Sequence, residues 1–308
     1  MTRTTRPGGS ELPSIMAVIV TYFPDSKLLH RTLDAIAPQV DGLVVVDNGS
    51  GEDAYAHVDA TVHCRMHCIR LDENLGIAAA QNRGITWARS QGADYILLFD
   101  QDSEPAADMV QHLSAVALKL AAESVPVALV VPNYTDDRQS QDIPFMHIVN
   151  GRPQWFGCKT PDGVAEITTA IASGSLIPIS TINRVGPMRE SMFIDLVDIE
   201  WCFRARAAGY RAFGVCNARL RHSLGEPPKR ILGRTLATHS PRRNYYFYRN
   251  AIWLFRQGYV PAVWKRVVAG QMLKRYLIFP LGVRPRWQYL KMMTLGVWHG
   301  LIGRSGAL

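Results

Sequence analysis

The run Tyr95-Ile96-Leu97-Leu98-Phe99 ends in Asp100-Gln101-Asp102, two carboxylates one residue apart. Side chains alternate along a strand, so Asp100 and Asp102 can share one side where the strand gives way to its loop. Two hard oxygen donors there suit Mg2+ or Mn2+, and such a cation suits a diphosphate. A second pair, Asp195 and Asp198, stands where residues 192–204 read as a loop entering a helix. If a metal carries the diphosphate of an activated donor, transfer needs a base within reach of the acceptor hydroxyl. Asp198, with Asp195 three residues earlier, is the candidate, and burial and like charge would raise the pKa of one of them. The plainer reading makes Asp198 and Glu200 first-turn acids that favour the helix dipole.

These residues need a frame that gathers them. Apolar runs at 15–20, 43–46, about 67–71, 95–99 and 127–131 read as buried strands. Helical spacing lies between them: Leu28, Leu29, Leu33 and Ile36 after a cap at Asp25 or Ser26, then Ile77, Ala80, Gly84 and Trp87, then Met109, Leu113 and Val116. This alternation predicts an α/β fold with a mostly parallel central sheet flanked by helices. Ligands bind such sheets beyond the carboxyl ends of the strands. Those ends carry Thr21-Tyr22, Asp47-Asn48, Asn74 and the Asp100 run. With no glycine-rich dinucleotide loop and no Walker lysine loop, phosphate is expected on a metal. The segment 132–170 is irregular and carries no clear element.

Charge divides the 308 residues. After Glu226 come fifteen Lys or Arg and no Asp or Glu, leaving nineteen basic against twenty-six acidic residues before it. Four of the seven tryptophans (Trp253, Trp264, Trp287, Trp298) lie in this basic tail, which is expected to be largely helical. Tryptophan beside Lys and Arg suits a membrane interface better than a nucleic-acid groove. The longest uncharged apolar run there, 292–303, is too short to span a bilayer. Residues 1–14 are polar, so no signal peptide is expected, and the five scattered cysteines point to a reducing cytoplasm. His63-Cys64 and His67-Cys68 mimic zinc spacing, but they run into a strand and read as sheet-face residues.

The chain resembles the family 2 inverting glycosyltransferases of GT-A fold, and most closely their bacterial rhamnosyltransferase branch. The matching pieces run in order from Val18-Ile19-Val20-Thr21-Tyr22 and Val45-Val46-Asp47-Asn48-Gly49-Ser50 to Asn74-Leu75-Gly76-Ile77-Ala78 with Gln81-Asn82-Arg83-Gly84. They continue through Leu98-Phe99-Asp100-Gln101-Asp102-Ser103, Ser173-Gly174-Ser175-Leu176-Ile177 and Phe193-Ile194-Asp195-Leu196-Val197-Asp198-Ile199-Glu200-Trp201-Cys202. His222-Ser223-Leu224-Gly225 and His239-Ser240-Pro241-Arg242, then Tyr245-Tyr246 and Arg249-Asn250, complete the match.

The resemblance implies a donor site from Thr21, Tyr22, Asp47, Asn48, Asn74, Gly76, Asn82 and Asp100. It implies a metal on Asp102 and Asp100 with His222 as third ligand or as a structural histidine. Acceptor contacts would come from Glu200, Ser173 and Gly174, with Trp201 either packed under the acceptor site or stacked on a sugar. Asp198 holds the place of the family's base, whose usual Glu neighbour is Val197 here, so Asp195 can share the role. Arg242, Arg243 and Arg249 either meet diphosphate or belong to the solvated tail. The implied donor is dTDP-β-L-rhamnose, and the implied acceptor is a saccharide, lipid-linked and destined for a surface polysaccharide. The implied organisation is a flexible 1–14, a GT-A domain over 15–225 (nucleotide part 15–131, acceptor part 132–225), and a basic helical extension over 226–308. The extension is expected on the anionic inner face of the cell membrane or in a homo-oligomer interface. Competing readings are a family 2 transferase with another nucleotide sugar, and a non-catalytic sugar- or nucleic-acid-binding protein. The acidic first part and the lack of a nucleic-acid motif argue against nucleic acid.

Overall fold

The computed structural model describes residues 13–51, 65–136, 141–160, 162–222, 229–231, 234–236 and 239–308. The first half alternates strands and helices: β1 (Ile15–Thr21), α1 (Ser26–Ile36), β2 (Gly42–Asp47), β3 (Arg65–Arg70), α2 (Ile77–Ser90), β4 (Tyr95–Asp100), β5 (Ser103–Pro105) and α3 (Met109–Ala122). The second continues with β6 (Val127–Asp136), β7 (Gln141–Asp142), β8 (Phe145–Val149), β9 (Arg152–Phe156), β10 (Val164–Ile167), β11 (Ser175–Pro178), α4 (Ile179–Val185), α5 (Val197–Ala207) and β12 (Arg211–His222). A short hairpin, β13 (Lys229–Ile231) and β14 (Arg234–Leu236), precedes three helices, α6 (Pro241–Phe255), α7 (Ala262–Gly282) and α8 (Arg286–Ile302).

The main sheet runs β10-β12-β6-β11-β4-β1-β2-β3. β3, β2, β1 and β4 are parallel, which the α2 and α1 crossovers require. Every residue of β1 and β2 is buried, as unbroken apolar runs covered on both faces should be. Helix packing follows from small details. Asp25 caps α1 by accepting from the amides of Lys27 and Leu28. Gly84 lets α2 sit directly on Val18 and Val46.

Two features lie where the sequence pattern was weak. Residues 132–170 hold the end of β6, the short β7, the β8–β9 hairpin and β10. These strands are short and partly exposed, so they show no continuous apolar run. Cys158 and Cys216, 58 residues apart in sequence, form a disulfide because β12 runs beside the segment before β10, which corrects the reading of the scattered cysteines as reduced. The position chosen as the boundary of the extension, residue 226, lies outside the described residues, as do the zinc-like His63 and Cys64.

α6–α8 are not a loose tail. Tyr248, Leu254, Trp264, Met272 and Tyr289 belong to the same apolar cluster as the sheet. α8 reaches α6 through Gly296 and Gly300, where an added Cβ at Gly296 would stand 2.5 Å from the Tyr245 carbonyl oxygen. Gly296→Val should therefore force the helices apart at a cost of about 1–3 kcal/mol. A drop in the urea midpoint would report it; an unchanged midpoint would show that the helices part freely.

Candidate active site

The carboxyl ends of the parallel strands lie side by side: Thr21 opposite Asp47, and Val20 opposite Asp100. The loops there are tied to one another. The Asn48 side chain donates to Asn74 Oδ1 at 3.1 Å and accepts from the Leu75 amide, while Asn74 Oδ1 also takes the Gly76 amide. Asp47 Oδ1 accepts from the Ser50 amide and hydroxyl, and Ser50 Oγ in turn accepts from the Phe23 amide. Gln101, the residue between the two aspartates, accepts from the Tyr22 amide at 2.7 Å. Thr21, Tyr22, Asp47, Asn48, Asn74, Gly76 and Asp100 thus gather on one rim. Gly76 adopts φ +88° and touches Phe193, where any Cβ would meet the Phe193 carbonyl at 2.5 Å. That contact brings the second acidic loop beside the first.

Asn82 is spent elsewhere. Its amide donates to the Met188 carbonyl and to Glu190 Oε1 and its oxygen accepts from the Met188 amide, holding α2 against the loop that leads to Asp195.

β11 runs antiparallel to β4 with Ser175 opposite Leu98, so residues 171–174 return to the rim. The Ala172 amide donates to Asp198 Oδ2 at 3.2 Å, and the next residue, Ser173, accepts from the Asp100 amide at 3.2 Å and bonds Ser103 Oγ at 2.7 Å. One dipeptide thereby ties the base candidate to the turn carrying Asp100 and Asp102. Gly174, φ +78°, lies between Pro132 and Leu220 with no room for a side chain.

The loop before α5 is strained. Phe193, Asp195 and Leu196 all have φ near +65°, in the left-handed region that non-glycine residues avoid. α6 holds them there. The Asn250 amide donates to the carbonyls of Met192, Ile194 and Asp195, and the buried Arg249 guanidinium donates to those of Ser191 and Met192. Arg243 pairs with Asp195 Oδ1 at 3.1 Å, and Asp195 Oδ2 is buried with no hydrogen-bond partner among the described residues. Arg249 is thus a structural cation, unavailable to a diphosphate.

Glu200 and Trp201 sit beneath the site. Glu200 is fully buried and bonded to Arg189, Arg204 and the Tyr259 hydroxyl; Trp201 is 1% exposed and donates to the Gly186 carbonyl. Neither offers surface to an acceptor, because both are consumed in fixing α5. His222 ends β12 with its backbone opposite Ser103, one residue from Asp102; its side chain lies outside the described residues, as do Ser223–Gly225. Tyr134 was missed. Its hydroxyl, buried near Asp198 and Asp100, makes no well-formed hydrogen bond. The strand pattern stopped at Val131, so nothing marked a tyrosine three residues on.

Burial raises the Asp198 carboxyl to about 6; the Ile199 and Ala172 amides oppose the shift, while the charges of Asp100 and Asp195 add to it. Burial also pushes the Tyr134 phenol well above its usual range, helped by Asp198. Such a crowd of acids fits a divalent cation on Asp100 and Asp102, although no group of three protein ligands is assembled among the described residues.

The sequence profile "Glycosyl transferase family 2" matches residues 17–177, more than half of the chain. The chain is a family 2 glycosyltransferase. This glycosyltransferase is 31% identical over 298 residues to the dTDP-rhamnosyl transferase RfbF of Shigella flexneri, covering 95% of this chain and 97% of that one. It is 28% identical over 302 residues to the galactofuranosyltransferase GlfT1 of Mycobacterium tuberculosis, covering 92% and 95%. Its fold is similar to S. aureus TarS 1-349 in complex with UDP-GlcNAc (TM-score 0.56, 15% identity, 91% of this chain and 79% of that one). It is also similar to GalNAc-T7 with UDP, GalNAc and Mn2+ (TM-score 0.59, 13% identity, 80% of this chain, 49% of that one). The fold expectation, GT-A with a mostly parallel sheet, holds.

Asp198→Asn separates function from stability. An acid whose folded pKa lies above its unfolded value costs stability once it ionises, so its penalty grows as pH rises from about 4 through about 6. The amide should abolish transfer, by about 10²–10⁴-fold, yet match or exceed wild-type stability at pH 8 by on the order of 1 kcal/mol. Urea unfolding at pH 5 and 8 beside a donor-turnover assay tests both halves. Wild-type kcat/KM should fall as pH drops through about 6; a flat profile down to pH 5 would remove Asp198 as the titrating base.

Proposed function

We propose that this glycosyltransferase moves L-rhamnose from dTDP-β-L-rhamnose, with inversion, to a hydroxyl of a lipid-linked saccharide bound for a surface polysaccharide, at the cytoplasmic face of the cell membrane. The observation that carries the donor is the end-to-end 31% identity to a dTDP-rhamnosyl transferase. The tie between Asp198 and the Asp100 turn supports the chemistry.

In this reading the acceptor oxygen attacks C1 of the sugar as the ionised Asp198 takes its proton, and the C1–oxygen bond to the diphosphate breaks. Asp195, charge-paired with Arg243, keeps the loop in place, and its charge strengthens Asp198 as a base. Thr21, Asp47, Asn48 and Asn74 hold the nucleoside at the rim. Asp100 and Asp102, with His222, would hold Mg2+ or Mn2+, which neutralises the leaving diphosphate when bound. Ser173 positions the Asp100 turn from within the core, and Trp201 and Glu200 fix α5 from below. A second reading, transfer of galactofuranose, draws on the 28% identity to GlfT1 over nearly the whole chain.

Turnover of dTDP-β-L-rhamnose, UDP-galactofuranose and GDP-sugars with the purified chain decides between them. The rhamnose donor should be at least tenfold better in kcat/KM, with EDTA abolishing turnover and Mg2+ or Mn2+ restoring it. Turnover confined to a galactofuranosyl donor would establish the second reading instead.

A further inference from the structure

α7 and α8 form an antiparallel pair: the Tyr276 hydroxyl bonds Thr294 at 2.8 Å, and Phe279 meets Tyr289 edge-on nearer the connection. Their outer side is apolar where it faces water. Leu273 and Leu277, one turn apart on α7, are 61% and 60% exposed. Trp287 and Trp298, three turns apart on one face of α8, are 81% and 57% exposed, and Ile302 continues that stripe at 55%. Half of the large exposed apolar residues among those described lie on these two helices. A concentration of this kind marks an interaction surface, since scattered single residues would need no explanation.

The charges choose the partner. Exposed Lys274, Arg286 and Lys291 stand among these side chains, and no Asp or Glu occurs after Glu226. Two copies meeting through this face would set cation against cation with nothing to neutralise them. Nucleic acid offers no counterpart for exposed Leu and Ile. No described helix is long and apolar enough to cross a membrane. Tryptophans at headgroup depth, aliphatic side chains below them and cations around them match a helix pair lying in a lipid interface.

We propose that the outer face of α7 and α8 docks on an anionic lipid bilayer, with Trp287 and Trp298 as its anchors. The surface is separate from the donor rim, so its test does not depend on the sugar transferred. The face is coupled to the site by packing: α8 rests on α6, and α6 holds the loop of Asp195.

Cosedimentation of the full chain with vesicles of phosphatidylglycerol and phosphatidylcholine, against phosphatidylcholine alone, tests the proposal. Binding should need phosphatidylglycerol, weaken at least tenfold in W287S/W298S, and weaken again in K274E/K291E or at 0.5 M salt. Circular dichroism and the thermal midpoint of both variants should match wild type, since none of these residues touches the rim. Equal binding to both vesicle types, or full binding by W287S/W298S, overturns the proposal. So does a wild-type dimer, seen by light scattering, that ignores vesicles and that the tryptophan variant breaks.

Discussion

The site rests on a clamp between two parts of the chain far apart in sequence. Arg249 and Asn250, adjacent on α6 and both buried, donate through Arg249 Nη2 and the Asn250 amide to the backbone carbonyls of residues 191, 192, 194 and 195. Three non-glycine residues in that loop are left-handed, each costing on the order of 1–3 kcal/mol. Hydrogen bonds from a buried guanidinium and amide offset that cost, and the guanidinium is further covered by the rings of Tyr245 and Tyr246 at 5.6 and 5.0 Å. Without α6 the loop would relax, and Asp198 would leave the position that the Ala172 amide defines. The basic segment is thus part of the catalytic architecture as well as a surface.

Held in this way, the acids are crowded on purpose. Asp100, Asp195 and Asp198 sit close enough for their charges to influence one another, and Arg243 pairs with Asp195. Burying the Asp198 carboxylate beside like charges is costly, and a cation or an incoming hydroxyl proton would relieve that cost. The same crowding explains why Gln101 and Ser173 bond to backbone: they fix the turn so that repulsion cannot open it.

The strands and first helices were legible because their periodicities are strong: buried runs at β1, β2 and β4, and the Asp25 cap on α1. The rim residues were legible from their position at strand ends. What sequence did not reveal was which polar side chains are consumed internally. Asn82 and Glu200 look like ligand contacts in a motif, and only packing shows that Met188 and Arg204 take their hydrogen bonds. Arg249 carried the same ambiguity, since a guanidinium in a basic run gives no sign of burial. The clamp joins segments tens of residues apart, and Tyr134 lies near acids just as distant in sequence, separations that no local pattern encodes.

The disulfide between Cys158 and Cys216 closes a ring of chain that contains β10, β11, α4, the strained loop and α5. Every residue proposed to handle the acceptor proton lies inside that ring. A single cut by a protease anywhere within it would leave both fragments covalently tied, so the polypeptide would migrate as one species until a thiol reductant was added. Integrity of this half of the enzyme is therefore a topological property as much as a matter of packing.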